Sequence, residues 1–328
     1  MKRGGNQRRN PRASALSFAA CLLTWYEANA RALPWRVDRD PYHVWLSEIM
    51  LQQTRVAAVL EHYRLFLKKF PSVQKLASAR EASVLAAWSG LGYYRRARML
   101  HAAAKVLTKE YGGKFPESSE AWRSLPGIGR YTASAIASIA YDEPVAVVDG
   151  NVERVVGRLA GKRLAHEATW EAAQRLLDRA RPGDFNQAMM ELGATTCLPR
   201  QPRCLLCPVA EFCATRGELK TAEVAPRQQK RVIHFGLARR DGHVLLVQRP
   251  REESLMPGMW ELPECSQRPS EKILLSLRHS ITVTDYTVRV VEMPPADGAV
   301  GKWVALSRLS SLPLTGLARK ILRRAEML

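Results

Sequence analysis

Cys197, Cys204, Cys207 and Cys213 stand in a C-x6-C-x2-C-x5-C pattern, four of the chain's six cysteines within seventeen residues. Pro199, Pro202 and Pro208 stiffen the segments between them. A disulfide framework would spread its cysteines along the chain; this crowding instead calls for a metal. Four thiolates so close fit a tetrahedral zinc or a [4Fe-4S] cluster, and the spacing leaves both open. Either group would replace hydrophobic core over this short segment.

The remaining chain has to build its core in the usual way. At 328 residues there is room for two domains, or three if one is small. From Ser14 to about Ala180 the apolar residues follow a period of 3.6. Breaks fall at Pro34, Pro41, Pro71, Gly90 to Gly92, Gly112 with Gly113, Pro126 to Gly129, Pro144 and Gly161, which predicts a bundle of short helices. The stretch "GELKTAEVAPRQQKR" is polar and aperiodic, and reads as a linker. After it, "VIHFGLARRDGHVLLVQRP" predicts a hairpin turning at Asp241 and Gly242. "ITVTDYTVRVVEM" and "GKWVAL" predict further strands, and a basic helix follows from Thr315.

Lysine and arginine number 50 against 31 aspartate and glutamate, a formal net charge of +19, while the charged fraction of 25% is ordinary. Such an excess of cation concentrates polyanions at the surface, nucleic acid first among them. No run approaches the roughly 18 apolar residues of a membrane span. Lys2, Arg3, Arg8, Arg9 and Arg12, then "ASALSFAACLLTWY" and "ANA", imitate a secretory signal. Leu16, Ala19, Ala20, Leu23 and Tyr26 recur at helical spacing, so the stretch is read as a first amphipathic helix and the protein as cytoplasmic.

Three short stretches carry candidate chemistry. In "LPGIGRYTASAIASIA", Gly127 and Gly129 allow a tight turn whose amides, with those opening the next helix, form an anion site. With the preceding "SEAWRSL" this predicts a helix-hairpin-helix able to hold a DNA phosphate. Glu48, in "VWLSEIMLQQT", has Val44, Trp45, Leu51 and Gln52 on its helical face. Partial desolvation there would raise its pKa, as suits a general acid. Asp149, in "PVAVVDGNVERVVGR", follows an apolar run and precedes a helix, the place of an N-cap, which would also hold its carboxylate rigid. "LPWR", Gln52 with Gln53, and Tyr93 with Tyr94 set planar side chains beside arginines, a pattern that serves core packing or base stacking.

Together these residues resemble the MutY family of adenine DNA glycosylases, in the helix-hairpin-helix superfamily that includes endonuclease III. The resemblance runs through "LPWR", "PYHVWLSEIMLQQTRV", "GLGYYRRARML", "LPGIGRYTASAI", "VVDGNVERV", "FNQAMMELGA", the cysteine set and "MPGMWELPE". It implies a mainly α fold: a two-part helical glycosylase with an iron-sulfur loop, followed by a smaller α+β Nudix-like domain. The implied boundaries are a basic flexible tail 1–13, a glycosylase domain 14–218 with the hairpin near 119–140 and the cluster loop 197–213, a linker 219–231 and a lesion-reading domain 232–328.

The resemblance also assigns roles. Cys197, Cys204, Cys207 and Cys213 would hold a [4Fe-4S] cluster. Glu48 would protonate adenine and later help activate water, while Asp149 would stabilise an oxocarbenium-like sugar, the two-carboxylate logic of glycoside cleavage. The adenine would be flipped out of the duplex and held by Arg36, Glu191 and Trp35. Gln53, with Tyr93 or Tyr94, would fill the gap, and Leu51, Thr54, Gly127, Gly129 and Asn151 would add DNA contacts. Tyr131 stands where bifunctional relatives carry a lysine that attacks the sugar, which implies a monofunctional enzyme leaving an abasic site.

The implied substrate is double-stranded DNA with adenine opposite 8-oxoguanine or guanine, and the implied protein is a monomer in a bacterial nucleoid. Its product would pass to an abasic-site endonuclease, and a replication clamp would be a further partner. In the last domain, "REES" at Arg251 to Ser254 does not continue into the acidic box of a Nudix hydrolase, so recognition is expected there and hydrolysis is not. Where relatives read H-x-F-S-H, this chain has His279, Ser280, Ile281, Thr282 and Val283, keeping a hydroxyl at Thr282 but lacking the aromatic wedge and the last histidine. Two other readings fit parts of the pattern: an endonuclease III-like glycosylase and lyase, and a non-catalytic iron-sulfur DNA-binding regulator.

Overall fold

A computed structural model describes residues 17–219, 229–253, 255–265, 272–281, 284–294 and 301–328. The expected tail 1–13 and most of the expected linker lie outside the described residues. The helical part contains α1 (Phe18–Asn29), α2 (Pro41–Leu51), α3 (Val56–Lys69), α4 (Val73–Ala77), α5 (Glu81–Trp88), α6 (Arg95–Glu110), α7 (Ser119–Arg123), α8 (Arg130–Tyr141), α9 (Gly150–Leu159), α10 (His166–Leu176) and α11 (Pro182–Thr195). The chain divides into two compact units, one from the described residues of 1–32, 117–122 and 130–221, the other from those of 33–116, 123–129 and 222–328. The domain division expected from sequence, helical then mixed, therefore does not coincide with the division by compactness.

In the first unit, α1 contributes Phe18, Leu22, Leu23 and Tyr26, α9 contributes Val152, Val155 and Val156, and α11 contributes Phe185, Ala188, Met189 and Leu192 to one core. Each set repeats at three and four residues, so each helix presents one apolar stripe. Gly193 lets α11 lie hard against the start of α9: a Cβ there would stand 2.5 Å from Cβ of Asn151. The mouth of α9 is thus fixed by backbone proximity as well as by side chains.

In the second unit, α2 is apolar almost all round and buries Tyr42, Val44, Trp45, Leu46, Ile49 and Met50. Asp40 caps it, accepting from the Tyr42 amide at 2.7 Å, and Pro41 occupies its first turn. Between α7 and α8 the expected hairpin forms. Gly127 has φ +74°, and a Cβ there would come within 2.4 Å of Cβ of Met99. Gly129 has no such constraint, and no atom lies within 4 Å of where its Cβ would stand, which leaves this side of the turn open.

The last domain departs from the sequence reading in its pairing. The strands are β1 (Gln229–Leu237), β2 (Arg239–Arg240), β3 (His243–Gln248), β4 (Trp260–Glu261), β5 (Ile273–Ile281), β6 (Thr284–Glu292) and β7 (Lys302–Ala305), followed by α12 (Gly316–Arg324). β1 begins inside the expected linker and pairs parallel with β6, leaving only β2 and β3 around the Asp241–Gly242 turn as the expected hairpin. β5 was not foreseen, because its residues alternate weakly. Of "ITVT", read from sequence as the opening of a strand, Ile281 ends β5 and Thr284 begins β6. β3 pairs with β2, β4 and β7 in a second sheet. Phe235, Leu246, Val288 and Val290 meet Leu317, Ile321 and Leu322 of α12 in the domain core.

Candidate active site

Glu48 lies near the C-terminal end of α2 and is 6% exposed, on a helix most of whose other residues are buried and apolar. The last carbonyls of α2 need partners, and Arg96 of α6 supplies them. Its Nη1 donates to the carbonyls of Ile49 at 2.7 Å, Met50 at 2.9 Å and Gln52 at 2.6 Å. Its Nη2 donates to Oγ1 of Thr54 at 3.0 Å and reaches the Gly92 carbonyl at 3.3 Å. Burial pushes the guanidinium down to about 10, still cationic at neutral pH. One arginine thus ties the loop after Glu48 to the glycine-rich loop before α6.

Each of these loops projects one non-glycine residue in left-handed backbone. Gln53, with φ +53°, and Tyr93, with φ +48°, are exposed. A non-glycine residue holds that conformation where its surroundings enforce it, commonly at ligand clamps. Tyr94 behaves otherwise. It was grouped with Tyr93 as a DNA contact, but it is 3% exposed and its hydroxyl donates to the Leu314 carbonyl at 3.2 Å. It is a packing residue, buried where Tyr93 is exposed. Leu51 and Thr54 are half-buried beside Gln53.

In the first unit Asp149 is the N-cap of α9. Its Oδ1 accepts from the amides of Asn151 at 2.9 Å and Val152 at 2.8 Å, and its Oδ2 accepts from Nδ2 of Asn151 at 2.9 Å. Three donors at a helix N-terminus fix this carboxylate as an anion acceptor cannot be fixed by solvent. Asn151 is held in turn by Arg154, whose Nη2 donates to its Oδ1 at 2.8 Å and to the Gly193 carbonyl at 2.7 Å. Nε of the same arginine donates to the Cys197 carbonyl at 2.8 Å. Arg154 was not singled out from sequence, though its position three residues after Asn151 on the same helix was the available signal.

Cys197, Cys204, Cys207 and Cys213 line one pocket with about 320 Å³ of free space, its mouth included, together with Arg158 and Arg216. Burial pushes the Cys207 thiol up, and the neighbouring Cys197, Cys213 and Cys204 add to it. Arg158, 4% exposed, donates to Sγ of Cys197 at 3.2 Å and to the Leu198 carbonyl at 2.7 Å, and the Arg216 amide reaches Sγ of Cys213 at 3.4 Å. Donors directed at sulfur are what thiolate ligands require. Four cysteines lining one pocket supply the donor chemistry that either a zinc ion or an iron-sulfur cluster takes.

Glu191, buried on α11, receives Nε of Arg31 at 2.6 Å and Nη2 at 2.8 Å, a bidentate pair, and the Arg31 amide at 3.2 Å. The hydrogen bonds that Arg31 donates to Glu191 hold its guanidinium above its ordinary value. Arg31 was missed because its partner is 160 residues away. The Tyr131 hydroxyl points at Sδ of Met190, the neighbour of Glu191, at 3.6 Å. Trp35 is buried, with its ring edge-on to Tyr63 at 5.4 Å, and Arg36 follows it in a short 3-10 turn.

In the last domain His279, Ser280 and Ile281 belong to the end of β5, where a loop was expected. Thr282 and Val283 lie outside the described residues. His279 pairs across the sheet with Tyr286, and burial pushes its imidazole down. Of the "REES" acids, Glu253 is paired with Arg249, which also holds Glu261 at 2.6 Å.

The class these features define is a helix-hairpin-helix DNA repair protein. The HhH-GPD superfamily base excision DNA repair protein model matches residues 46–180. The adenine DNA glycosylase of Mus musculus is 39% identical over 79% of this chain and 62% of its own length. That of Buchnera aphidicola subsp. Schizaphis graminum is 35% identical over 66% and 64%. Among solved structures, a thermostable thymine-DNA glycosylase is 32% identical with a TM-score of 0.58, covering 61% of this chain and 94% of that one. An endonuclease III–DNA complex, 23% identical with a TM-score of 0.52 and covering 60% and 93%, shares the fold. The chain belongs to the HhH-GPD superfamily of base excision DNA repair proteins. It spans less than two thirds of the length of the adenine DNA glycosylases named above.

Proposed function

We propose that this protein is an adenine DNA glycosylase that removes adenine paired with 8-oxoguanine or guanine from duplex DNA and leaves an intact abasic site. The observation that carries the reading is the triple clamp on Asp149, which holds its carboxyl group in one place at a helix mouth. Its strongest outside support is the similarity to adenine DNA glycosylases.

In this mechanism Glu48 gives its proton to a ring nitrogen of adenine, and the electrons of the N-glycosidic bond leave with the base. Asp149 stabilises the positive sugar left behind. Water adds to the sugar and returns a proton to Glu48. The Arg31–Glu191 pair, with Arg36, orients the flipped base. Tyr131 has no amine to form a Schiff base, so no strand cleavage follows. Gln53 and Tyr93 enter the duplex, and the open side of the turn at Gly129 receives a phosphate.

Cys197, Cys204, Cys207 and Cys213 would hold a [4Fe-4S] cluster, which supplies a rigid charged clip when bound. Residues 232–328 are read as a Nudix-like module that reads the base opposite adenine. The excess positive charge supports placement on DNA; the protein is read as acting in a bacterial cytoplasm, with the abasic product passed to an endonuclease.

Single-turnover reactions test this. Adenine should be released from duplexes bearing it opposite 8-oxoguanine or guanine, and Glu48→Gln should abolish release while retaining binding. Borohydride should trap no covalent adduct. Release of thymine from a thymine–guanine duplex in place of adenine would overturn the reading.

A further inference from the structure

The segment from Ser89 to Tyr94 reads SGLGYY, and Gly90, Gly92 and Tyr93 all have positive φ, at +110°, +71° and +48°. Local preference does not hold a tyrosine in that state. The segment is instead gripped at both ends by the last domain. Oγ of Ser89 donates to the Leu314 carbonyl at 2.7 Å, and the Tyr94 hydroxyl donates to the same oxygen at 3.2 Å. Nε of Arg319, on α12, donates to Oγ of Ser89 at 3.0 Å. Ser89, Tyr94 and Leu314 are all buried, so water does not compete for these bonds.

Leu314 is itself tightly placed. The Trp260 amide donates to the Pro313 carbonyl and the Thr315 amide to the Trp260 carbonyl, both at 2.9 Å. The turn leading into Trp260 is held as well, since Nη2 of Arg98 on α6 donates to the Pro257 carbonyl at 2.5 Å. Any displacement of β4 or of the start of α12 must therefore move both ends of the loop that carries Tyr93. Tyr93 itself is 48% exposed, and its ring lies 5.5 Å from the guanidinium of Arg96.

We propose that Ser89, Tyr94 and Arg319 form a latch through which the last domain sets the position of Tyr93, making them specificity-determining positioning residues for the base opposite adenine. This rests on the glycosylase reading and on the entry of Tyr93 into the duplex. The latch itself touches no DNA. It acts by fixing which way the loop presents its exposed ring when the last domain engages the opposite base.

The test uses the full chain carrying Ser89→Ala, Tyr94→Phe, both together, or Arg319→Met. Single-turnover adenine release is measured opposite 8-oxoguanine and opposite guanine, with thermal unfolding followed alongside. The preference for 8-oxoguanine should fall roughly fivefold in the double variant, the scale of one or two lost hydrogen bonds, with release opposite guanine within about twofold of the unaltered chain. Arg319→Met, made on the other side of the latch, should lower the preference in the same direction, with little further loss when combined with Ser89→Ala. An unchanged preference, or both rates falling together with stability, overturns the latch. No adenine release by the unaltered chain overturns the glycosylase reading, and the latch with it.

Discussion

Arg154 donates its Nε hydrogen to the carbonyl oxygen of Cys197 at 2.8 Å, and Nη2 of the same guanidinium holds the side chain of Asn151 at 2.8 Å. Asn151 in turn holds Asp149, so two side chains, Arg154 and Asn151, link the cysteine loop to the capping carboxylate. Replacing Arg154 with methionine leaves three buried or half-buried acceptors without their donor, at about 1 kcal/mol each. We expect Arg154→Met to lower stability by about 2–3 kcal/mol and to slow adenine release by at least about tenfold at saturating enzyme, because Asn151 no longer orients Asp149. Denaturant titration and single-turnover kinetics check the two parts; full activity would show that the link does not position Asp149.

Asp149→Asn separates capping from charge. Asparagine caps a helix as well as aspartate does, so the bonds from the Asn151 and Val152 amides survive, and the cost is the single bond from Nδ2 of Asn151, about 1 kcal/mol. The negative charge is lost. Adenine release should drop by about 10²–10³ while the unfolding midpoint barely moves. A small kinetic effect would reduce Asp149 to a cap.

His101 is 2% exposed on α6, and burial, then the nearby Lys105, push its imidazole below the ordinary value. Folded protein therefore stays neutral there while the unfolded chain takes up a proton below about pH 6.5. The unfolded state binds the extra proton, so stability falls as pH drops through this range, and His101→Gln should flatten that part of the profile. Thermal unfolding from pH 7.5 to pH 5.0 measures it; an unchanged slope in the variant assigns the loss to other groups.

What the sequence made legible was local. Asp149 before a helix, Gly127 in a hairpin and the crowded cysteines each follow from neighbours within a few positions, and the structure forms each element. What it hid was decided at long range. Arg31 meets Glu191 across 160 residues and Arg96 meets Ile49 across 47. Tyr93 and Tyr94 are the same residue twice, yet the first is exposed in left-handed backbone and the second is buried with its hydroxyl on the Leu314 carbonyl, 220 residues away. β1 pairs with β6 and only β2 with β3, because the parallel partner lies 55 positions further on, beyond any turn signal. The mobile identity of a hydrogen-bond partner, more than secondary structure, was the missing information.

The cysteine pocket offers the last test. Arg158 and the Arg216 amide are directed at Cys197 and Cys213, and Arg154 is bonded to the Cys197 backbone, so the loop is shaped by donors that favour charged sulfur. Cys204 makes no such contact among the described residues, and its replacement by serine removes one ligand while leaving this scaffold in place. Cys204→Ser should lose most of the visible absorbance of an iron-sulfur cluster and weaken duplex binding by roughly tenfold, with the loop no longer held around its charge. Chelation of the unaltered protein should reproduce the binding loss. If the variant keeps full affinity without its cluster, the group is not what positions the loop on DNA; if it instead retains one zinc per chain and no visible band, the pocket is a zinc site.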